Sequence, residues 1–598
     1  MLRYILKFLA IYLTFVLAGA IQKPVFLIFH GGEGLSAADW FEVIYHGLSM
    51  DCTVAGYMTA VPGLLMVAGI WLPRRAWLRQ VMRGYNAVAA VLMSLAAVAN
   101  IGLYGHWGFP LDVTPVFYFT SSPSAAAASA TTGEIIGAIV GFLIYTDLIF
   151  MSLYLIDKHL TVDVSRQRPV ATVVGLLLVG LLFIPIRGGF TVSTMNPGRA
   201  YYSQNNRLNH AAVNPFFSFL YSATHQANFG SQFRYLDPEV ADETFKAMTA
   251  NPTIITDTLF EGRPDIYLII AESFSSHLLP CQGGEAVAVR LDSLARNGVL
   301  FDNFYASSFR TDRALPAILG AIPGQPNTSL MKYISKTEGL PSLPRSLKDA
   351  GYALSYYYGG DINFTNMKSY LVNCGFEDIV CDRDFPVTER TGKWGAHDHL
   401  LFDKALADIK SGNDAVPQLR VIQTSSSHEP FEVPYTSPHR APAANAFAYT
   451  DSCIGAFADS VSRLPRKSLI VIVPDHYGCY PADIEGETAR HHVPLIFAGN
   501  ALQHKGIRIH RHGSQTDLAA TILGQLGIDA TAFKFSRDML ADIPAPFAFY
   551  SSPNAIALSD STATATVDIS TGTIDGDSTA AVKAKAYIQT LYNYLDSI

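Results

Sequence analysis

Long apolar stretches fill the first third of the chain, whereas the remainder alternates short apolar runs with amphipathic segments. Five stretches are apolar over enough length to cross a bilayer, which takes about 20 residues. They lie at residues 5–29, 53–72, 85–104, 135–156 and 171–186. The pattern therefore predicts an N-terminal transmembrane domain of five helices over residues 1–187.

Basic side chains are confined to alternate connections between these spans. Residues 33–51 and 105–133 contain no Lys or Arg. The basic connections contain Arg3 and Lys7, then Arg74, Arg75, Arg79 and Arg83, and then Lys158, Arg166 and Arg168. Because cytoplasmic loops are enriched in Lys and Arg, these three connections are predicted to be cytoplasmic. An odd number of spans then places the chain after about residue 187 outside the cytoplasm.

The outer part of the chain has its own pattern. Residues 188–262 are polar and aromatic with little periodicity, which predicts a juxtamembrane connector with short helices. Over residues 263–543, short apolar strands alternate with helices, which is typical of a mostly parallel α/β sheet. The strands are the apolar parts of DIYLIIAES, LRVIQTSSSHEPF, SLIVIVPDHYG and HHVPLIFAGN. The pattern of residues 544–598 predicts a closing β-hairpin and helix.

Composition changes this picture little. Hydrophobic residues make up 49% of the chain and charged residues 16%, below the roughly 25% charged residues usual in soluble proteins. The net charge of -7, with no basic patch, predicts no nucleic-acid partner. Cys374 and Cys381 are close in sequence, and an oxidising compartment would permit a bridge between them. Two unpaired packing cysteines are the alternative.

Three of the predicted strands end in side chains that bind metal ions or move protons. Glu272 follows the first strand, His428 follows another, and Asp475 and His476 follow a third. Because ligands bind at the carboxyl ends of parallel strands, these side chains are expected to meet at one edge of the sheet. Carboxylates and imidazoles are ligands for a borderline divalent cation. Taken singly, each motif also fits a structural turn, cap or paired carboxylate.

Thr311, in FYASSFRTDRALPAIL, directly precedes an apolar run that reads as a helix. The stretch alone favours a helix cap, since Thr commonly occupies that position. Near a metal ion, however, its hydroxyl would form an alkoxide more readily and act as a nucleophile. A helix N-terminus also presents N–H groups to an anion such as a phosphoryl group. Both roles are therefore compatible.

The ordered motifs AES, SSFRTDRALPAIL, GKWGAHD, SSSHEPF and VPDHYG resemble those of the lipoteichoic acid synthase family. That family belongs to the alkaline phosphatase/sulfatase superfamily, and the resemblance extends over nearly the whole chain. It implies an N-terminal five-helix transmembrane domain followed by an extracytoplasmic α/β alkaline phosphatase/sulfatase-like domain with a central, mostly parallel sheet. The stretch YYYGGDINFTNM is more similar to Gram-negative members.

The resemblance also implies a set of functional residues. The family pattern implies one divalent metal ion, usually manganese, with magnesium or zinc as alternatives. Its ligands would be Glu272, Thr311, Asp475 and His476. Thr311 would be the catalytic nucleophile that forms a phospho-threonine, and His428 would lie near the leaving or accepting oxygen. The expected substrate-binding residues are Arg310, Arg313, Asn366, Lys368, Trp394 and His492. For both arginines a salt-bridge role remains open, and for His492 a strand-start role.

The implied activity is transfer of a phosphorylated headgroup from a membrane phospholipid to an envelope glycan or glycolipid. Thr365 and Met367 stand where the lipoteichoic acid synthases have a Trp and an Arg for glycerol phosphate. Phosphoglycerol is the first expectation, and phosphoethanolamine transfer or a phosphodiesterase or sulfatase activity is the alternative. A formylglycine sulfatase is disfavoured because TDRAL lacks the required Cys or Ser motif. The expected location is the bacterial inner (cytoplasmic) membrane, multi-pass, with the catalytic domain on the periplasmic or extracellular side.

Overall fold

The computed structural model describes residues 1–72, 75–116, 131–225, 229–250, 258–412, 415–438, 441–478, 480–542 and 545–598. The chain divides into two compact units, Met1–Gln226 and Ala227–Ile598. This division falls within the predicted connector of residues 188–262. The predictions that concern Arg74 and the domain boundary at residues 543–544 lie outside the described residues.

The first unit is helical. Its helices are α1 (Leu2–Phe29), α2 (Ala37–Ala68), α3 (Arg75–Trp107), α4 (Thr132–His159), α5 (Arg168–Leu181), α6 (Phe183–Arg187), α7 (Asn206–Ala212) and α8 (Pro215–Thr224). Among the described residues, five helical segments are long and apolar enough to cross a membrane, the fifth being Ser165–Arg187. The five predicted spans are thus confirmed. Helix α2 begins earlier than predicted, because Ser36 and Asp39 form a capping box before it.

A buried ion pair joins α1 to α2. Lys23 Nζ lies 2.7 Å from Asp51 Oδ1, and neither side chain is exposed. Asn214, the N-cap of α8, donates to the same carboxylate over 2.9 Å. Gly47 leaves room for this contact, since a Cβ there would lie 2.0 Å from Lys23 Cε. Buried charges require such partners, so this cluster is a structural bond between three helices.

The second unit is built on an eight-stranded sheet with strand order β5-β4-β6-β1-β7-β8-β2-β9. Its strands are β1 (Asp265–Ala271), β2 (Val299–Phe301), β4 (Ala353–Tyr358), β5 (Asp378–Val380), β6 (Gln418–Gln423), β7 (Ser468–Pro474), β8 (Leu495–Ala498) and β9 (Ile507–Ile509). Only β8 runs antiparallel to its neighbours within this described sheet. A separate two-stranded pair joins β3 (Phe304–Tyr305) to β10 (Gly513–Ser514). The predicted mostly parallel sheet is confirmed.

Helices cover both faces of this sheet. Those of the second unit are α9 (Pro238–Thr249), α10 (Val289–Asn297), α11 (Thr311–Gly320), α12 (Ile334–Glu338), α13 (Leu343–Asp349), α14 (Met367–Asn373), α15 (Asp398–Ser411), α16 (Pro442–Val461), α17 (Glu487–His491), α18 (Leu518–Gln525) and α19 (Ser578–Ser597). Successive residues of β1 alternate between two hydrophobic cores. One core lies under α11, α13, α14 and α18, and the other under α10, α15 and α16. Both faces are therefore buried, as a parallel sheet requires.

The C-terminal segment forms a second sheet. Four antiparallel strands follow one another, namely β11 (Phe547–Ser552), β12 (Ala555–Asp560), β13 (Thr564–Asp568) and β14 (Ile574–Gly576). The predicted hairpin is the β13–β14 pair of this sheet. Helix α19 buries Tyr587, Ile588 and Leu591 against its strands. Cys374 and Cys381 in the main sheet region are both buried and unpaired.

Candidate active site

Two carboxylates follow neighbouring central strands. Ala271 ends β1 and pairs with Pro474 of β7, so Glu272 and Asp475 leave the sheet side by side. Both are buried, and Asp475 is fully buried. Burial and the neighbouring carboxylate of Asp475 raise the pKa of Glu272 well above its usual range. Two acidic groups are thus held close together out of water, which is unfavourable unless a cation or a proton lies between them.

Ser273 forms hydrogen bonds to both carboxylates. Its N–H donates to Asp475 Oδ1 over 2.8 Å, and its hydroxyl donates to Glu272 Oε1 over 2.7 Å. Ser273 adopts a φ of 65°, a left-handed conformation that is unusual for a residue with a side chain. Gly478 permits this turn, since a Cβ there would lie 2.2 Å from Ser273 Cβ. The glycine of VPDHYG is therefore needed for close packing of the loop after β7.

His476 presents one ring nitrogen to these carboxylates. Its Nδ1 lies 3.0 Å from the carbonyl oxygen of Tyr477, which only accepts hydrogen bonds. The neutral ring therefore carries its proton on Nδ1, and Nε2 is left with a lone pair. That Nε2 lies 3.4 Å from Asp475 Oδ2 and 3.8 Å from Glu272 Oε1. A lone pair facing two carboxylates, with the other nitrogen bound to a carbonyl, is the usual arrangement of a metal-ligating histidine.

Thr311 completes the cluster from the far side. Its hydroxyl donates to Asp475 Oδ2 over 2.7 Å and lies 3.5 Å from His476 Nε2. Thr311 is the first residue of α11, and Arg310 is the N-cap. The carbonyl of Arg310 accepts from the N–H groups of Arg313 and Ala314. The hydroxyl of Thr311 is thus turned toward the carboxylates, which corrects the expectation that this residue caps the helix.

The donor set fits a divalent cation. One ligand atom each from Glu272, Asp475 and His476 lie within 4.8 Å of one another, and the hydroxyl of Thr311 contacts two of these residues. Two carboxylates, one imidazole and one hydroxyl oxygen suit Mn²⁺, Mg²⁺ or Zn²⁺. A cation here would offset the repulsion between the carboxylates and give His476 Nε2 a partner. The four ligands predicted from the sequence are therefore brought together.

A cavity of about 330 Å³ opens beside this cluster. His428 and Trp394 form part of its wall, with ring centroids 4.3 Å apart. Trp394 Nε1 donates to the carbonyl of Glu429 over 2.8 Å, and His428 Nδ1 lies 3.1 Å from the same oxygen. The neutral His428 therefore carries its proton on Nδ1 and leaves Nε2 as a base. Burial lowers the pKa of His428, which favours this neutral form.

The two arginines that flank Thr311 differ. Arg310 lines the cavity, and its side chain is 54% exposed with Nε 3.4 Å from Asp312 Oδ1. Arg313 is buried, and its Nε donates to the carbonyl of Gln325 over 2.7 Å. Its guanidinium also lies 4.6 Å from the ring of Phe309. Arg313 therefore holds loops beneath the site, which corrects its predicted contact with substrate.

Three other predicted contacts also lie elsewhere. Asn366 and Lys368 are not part of the described wall of the cavity, although Met367, which lies between them in sequence, is part of it. Asn366 is buried at the start of α14 in a left-handed conformation, with φ 61°. His492 donates from Nε2 to the carbonyl of Asp302 over 2.6 Å. This bond ties His492 to the end of β2, so the expectation that it reaches substrate is corrected.

Several residues of the site were not singled out from the sequence. Tyr358, Gln423 and Ser425 line the cavity, and Gln515 donates to the carbonyl of Asp475 over 2.7 Å. Gln423 ends a predicted strand, so a search for polar residues at all strand ends would have found it. Gln515 precedes α18 and carries no comparable signal.

Asp398 binds the loop that follows β6 and contains His428. Its carboxylate accepts from the N–H of Ser425 over 2.9 Å, from the N–H of Ser426 over 3.3 Å and from the hydroxyl of Thr450 over 2.6 Å. We expect Asp398→Ala to lower the free energy of unfolding by about 3 kcal/mol, because buried donors lose their acceptor. Chemical denaturation of the full-length protein in detergent measures this. Asp403→Ala, an exposed site on the same helix, is the control, and equal midpoints would contradict the supporting role.

Part of the chain is similar to known proteins. Residues 264–528 match the Sulfatase family model. Lipoteichoic acid synthase 2 of Bacillus subtilis (strain 168) is 24% identical over 353 residues, which cover 53% of this chain and 53% of that protein. The chain thus spans about half the length of this curated relative.

The fold is shared with a solved structure from Vibrio parahaemolyticus. A protein in the alkaline phosphatase superfamily from Vibrio parahaemolyticus matches 60% of this chain and 97% of its own, with 21% identity and a TM-score of 0.54. Lipoteichoic acid synthase LtaP from Listeria monocytogenes matches 60% of this chain and 98% of its own, with 16% identity and a TM-score of 0.49.

Residues 264–528 of the second unit are therefore a Sulfatase domain of the alkaline phosphatase/sulfatase superfamily, a class of enzymes that act on phosphate or sulfate esters. Five helices that are long and apolar enough to cross a membrane precede this domain, and part of the chain is similar to a lipoteichoic acid synthase.

Proposed function

We propose that this protein transfers a phosphorylated headgroup from a membrane phospholipid to an envelope glycan or glycolipid, through a phospho-threonine at Thr311. The observation that carries the proposal is the hydroxyl of Thr311, which lies 2.7 Å from Asp475 and lines the cavity beside the metal-ligand cluster. The similarity to a protein named lipoteichoic acid synthase supports transfer over other chemistries and phosphoglycerol as the first headgroup. The expected location is the bacterial inner membrane, with this unit on its periplasmic or extracellular side.

The first step forms the phospho-threonine. Thr311 Oγ1 attacks phosphorus, and the bond from phosphorus to the diacylglycerol oxygen breaks. The proton lost by Thr311 is returned to the departing alcohol. A divalent cation on Glu272, Asp475 and His476 would favour the alkoxide and neutralise charge on the phosphoryl oxygens. Manganese is the expected ion, with magnesium or zinc as alternatives. Arg310, which lines the cavity, would pair with the phosphate.

The second step passes the group to an acceptor hydroxyl. Neutral His428, with its unprotonated Nε2 at the cavity wall, takes the proton of that hydroxyl as it attacks phosphorus. Thr311 is released and regains its proton. Trp394 holds the His428 ring through their shared contact with Glu429.

The test is to trap the intermediate. We expect incubation of the full-length protein with glycerol-headed or ethanolamine-headed phospholipid to add one headgroup phosphate to the Thr311 peptide, as measured by mass spectrometry. Thr311→Ala is the matched control and should carry no adduct. No adduct with either lipid, together with release of free headgroup phosphate into water, would identify a hydrolase instead.

A further inference from the structure

Gln423 is a buried polar residue in an otherwise apolar row. It is the last residue of β6, where it pairs with Ile270 of β1 and Tyr358 of β4. Leu419 and Val421, at alternate positions of the same strand, point into the hydrophobic core on that face. An apolar residue is expected at the next alternate position. The side chain of Gln423 is instead an amide that lines the catalytic cavity and is only 1% exposed.

The orientation of this amide is set from one side. The hydroxyl of Tyr356, a fully buried residue of β4, donates to Gln423 Oε1. Gln423 Nε2 then has no hydrogen-bond partner among the described residues. A buried N–H donor without an acceptor is unfavourable, and such groups in folded proteins are usually paired when the ligand or water is present. The missing acceptor is therefore expected in the cavity.

Gln423 differs from the charged groups of the cavity wall in what it can bind. Glu272 belongs to the metal-ligand cluster, and the carboxylate of Asp312 is paired with Arg310 and Arg313. Gln423 Nε2 thus adds a neutral donor, which needs an oxygen atom with a lone pair. Glycerol phosphate and ethanolamine phosphate differ in the groups beyond their shared phosphate. The hydroxyl groups of glycerol offer such an oxygen, whereas the ammonium group of ethanolamine has hydrogen atoms only.

We propose that Gln423 selects the headgroup, because its Nε2 donates to a hydroxyl oxygen of a glycerol-type headgroup. The amide thereby favours glycerol phosphate over ethanolamine phosphate in the same cavity. This role rests on the proposed headgroup transfer and names its substrate class. It is separate from the chemistry at Thr311, since Gln423 contacts the group that is carried and not the bond that breaks.

The experiment compares two donors. Full-length protein in detergent receives a glycerol-headed or an ethanolamine-headed phospholipid, and diacylglycerol release gives kcat/KM for each. Gln423→Leu should lower kcat/KM for the glycerol donor about tenfold, the effect of one lost hydrogen bond, with little change for the ethanolamine donor. Tyr356→Phe should lower kcat/KM for the glycerol donor, relative to that for the ethanolamine donor, by a smaller factor. The reason is that the amide of Gln423 is then free to rotate.

Gln418→Leu is the matched control, since it removes the same residue type from the other end of β6. It should leave the ratio of the two donors unchanged. An equal change for both donors in Gln423→Leu, or none, would overturn the selective role. If the leucine variant does not accumulate, Gln423→Met is measured under the same criteria. A wild-type protein that releases diacylglycerol from neither lipid would overturn the proposed transfer itself, which is a separate result.

Discussion

Replacing Thr311 by alanine is expected to lower headgroup transfer by roughly 10⁴-fold or more, as loss of a covalent nucleophile does in other enzymes. The hydroxyl is the atom of this residue that reaches Asp475 and His476, at 2.7 and 3.5 Å. Thr311 is the first residue of α11, and alanine is the best helix former, so folding should be preserved in the variant. Diacylglycerol release from phospholipid by the full-length protein measures the loss.

Two further variants separate the nucleophile from a merely structural hydroxyl. Thr311→Ser keeps an oxygen at the same place and should retain measurable transfer. Thr328→Ala removes a hydroxyl whose partner is the Tyr333 hydroxyl, at 3.3 Å, and should leave transfer unchanged. Bound metal, measured by elemental analysis, should remain in Thr311→Ala because the carboxylates and His476 are intact. Full activity in Thr311→Ala would refute the assignment.

The strands that carry the site were predictable because local sequence sets them. Each central strand is a continuous apolar run, and a polar residue marks where it leaves the core. Parallel pairing then aligns those ends, as the Ala271–Pro474 register shows, so Glu272 and Asp475 had to be neighbours. Chain order and residue type were sufficient for this inference.

Contacts made by loops were not predictable in the same way. The sequence places Arg310 and Arg313 symmetrically about the Thr311–Asp312 pair, yet one is exposed and the other is bound to the carbonyl of Gln325. His492 likewise finds its acceptor at Asp302, far away in the chain. Such partners depend on tertiary packing, which has no local signature. The same holds for the hydrogen bond that Gln423 accepts from the hydroxyl of Tyr356 on the neighbouring strand.

The second prediction with a large effect concerns the cluster of Glu272, Asp475 and His476. Removing the charge of Glu272 should weaken cation binding but stabilise the metal-free protein. Glu272→Gln is expected to weaken binding of a divalent cation by at least about 100-fold, because one of the two buried anionic ligands is lost. Transfer should fall with it. Isothermal titration of the chelated full-length protein with Mn²⁺ measures the affinity. Glu261→Gln, an exposed site that precedes β1, is the control and should bind normally.

The same variant should stabilise the metal-free protein. Burial and the carboxylate of Asp475 raise the pKa of Glu272 in the folded state, so the folded protein binds this proton more tightly than the unfolded chain. Glu272 therefore destabilises the chelated protein increasingly as pH rises from its ordinary carboxyl range toward the raised pKa. Glutamine removes this penalty, and the gain should be about 1–3 kcal/mol at neutral pH and vanish near pH 4. A chelated Glu272→Gln protein that unfolds earlier than wild type at neutral pH would contradict the repulsion, and with it the need for a cation between these carboxylates.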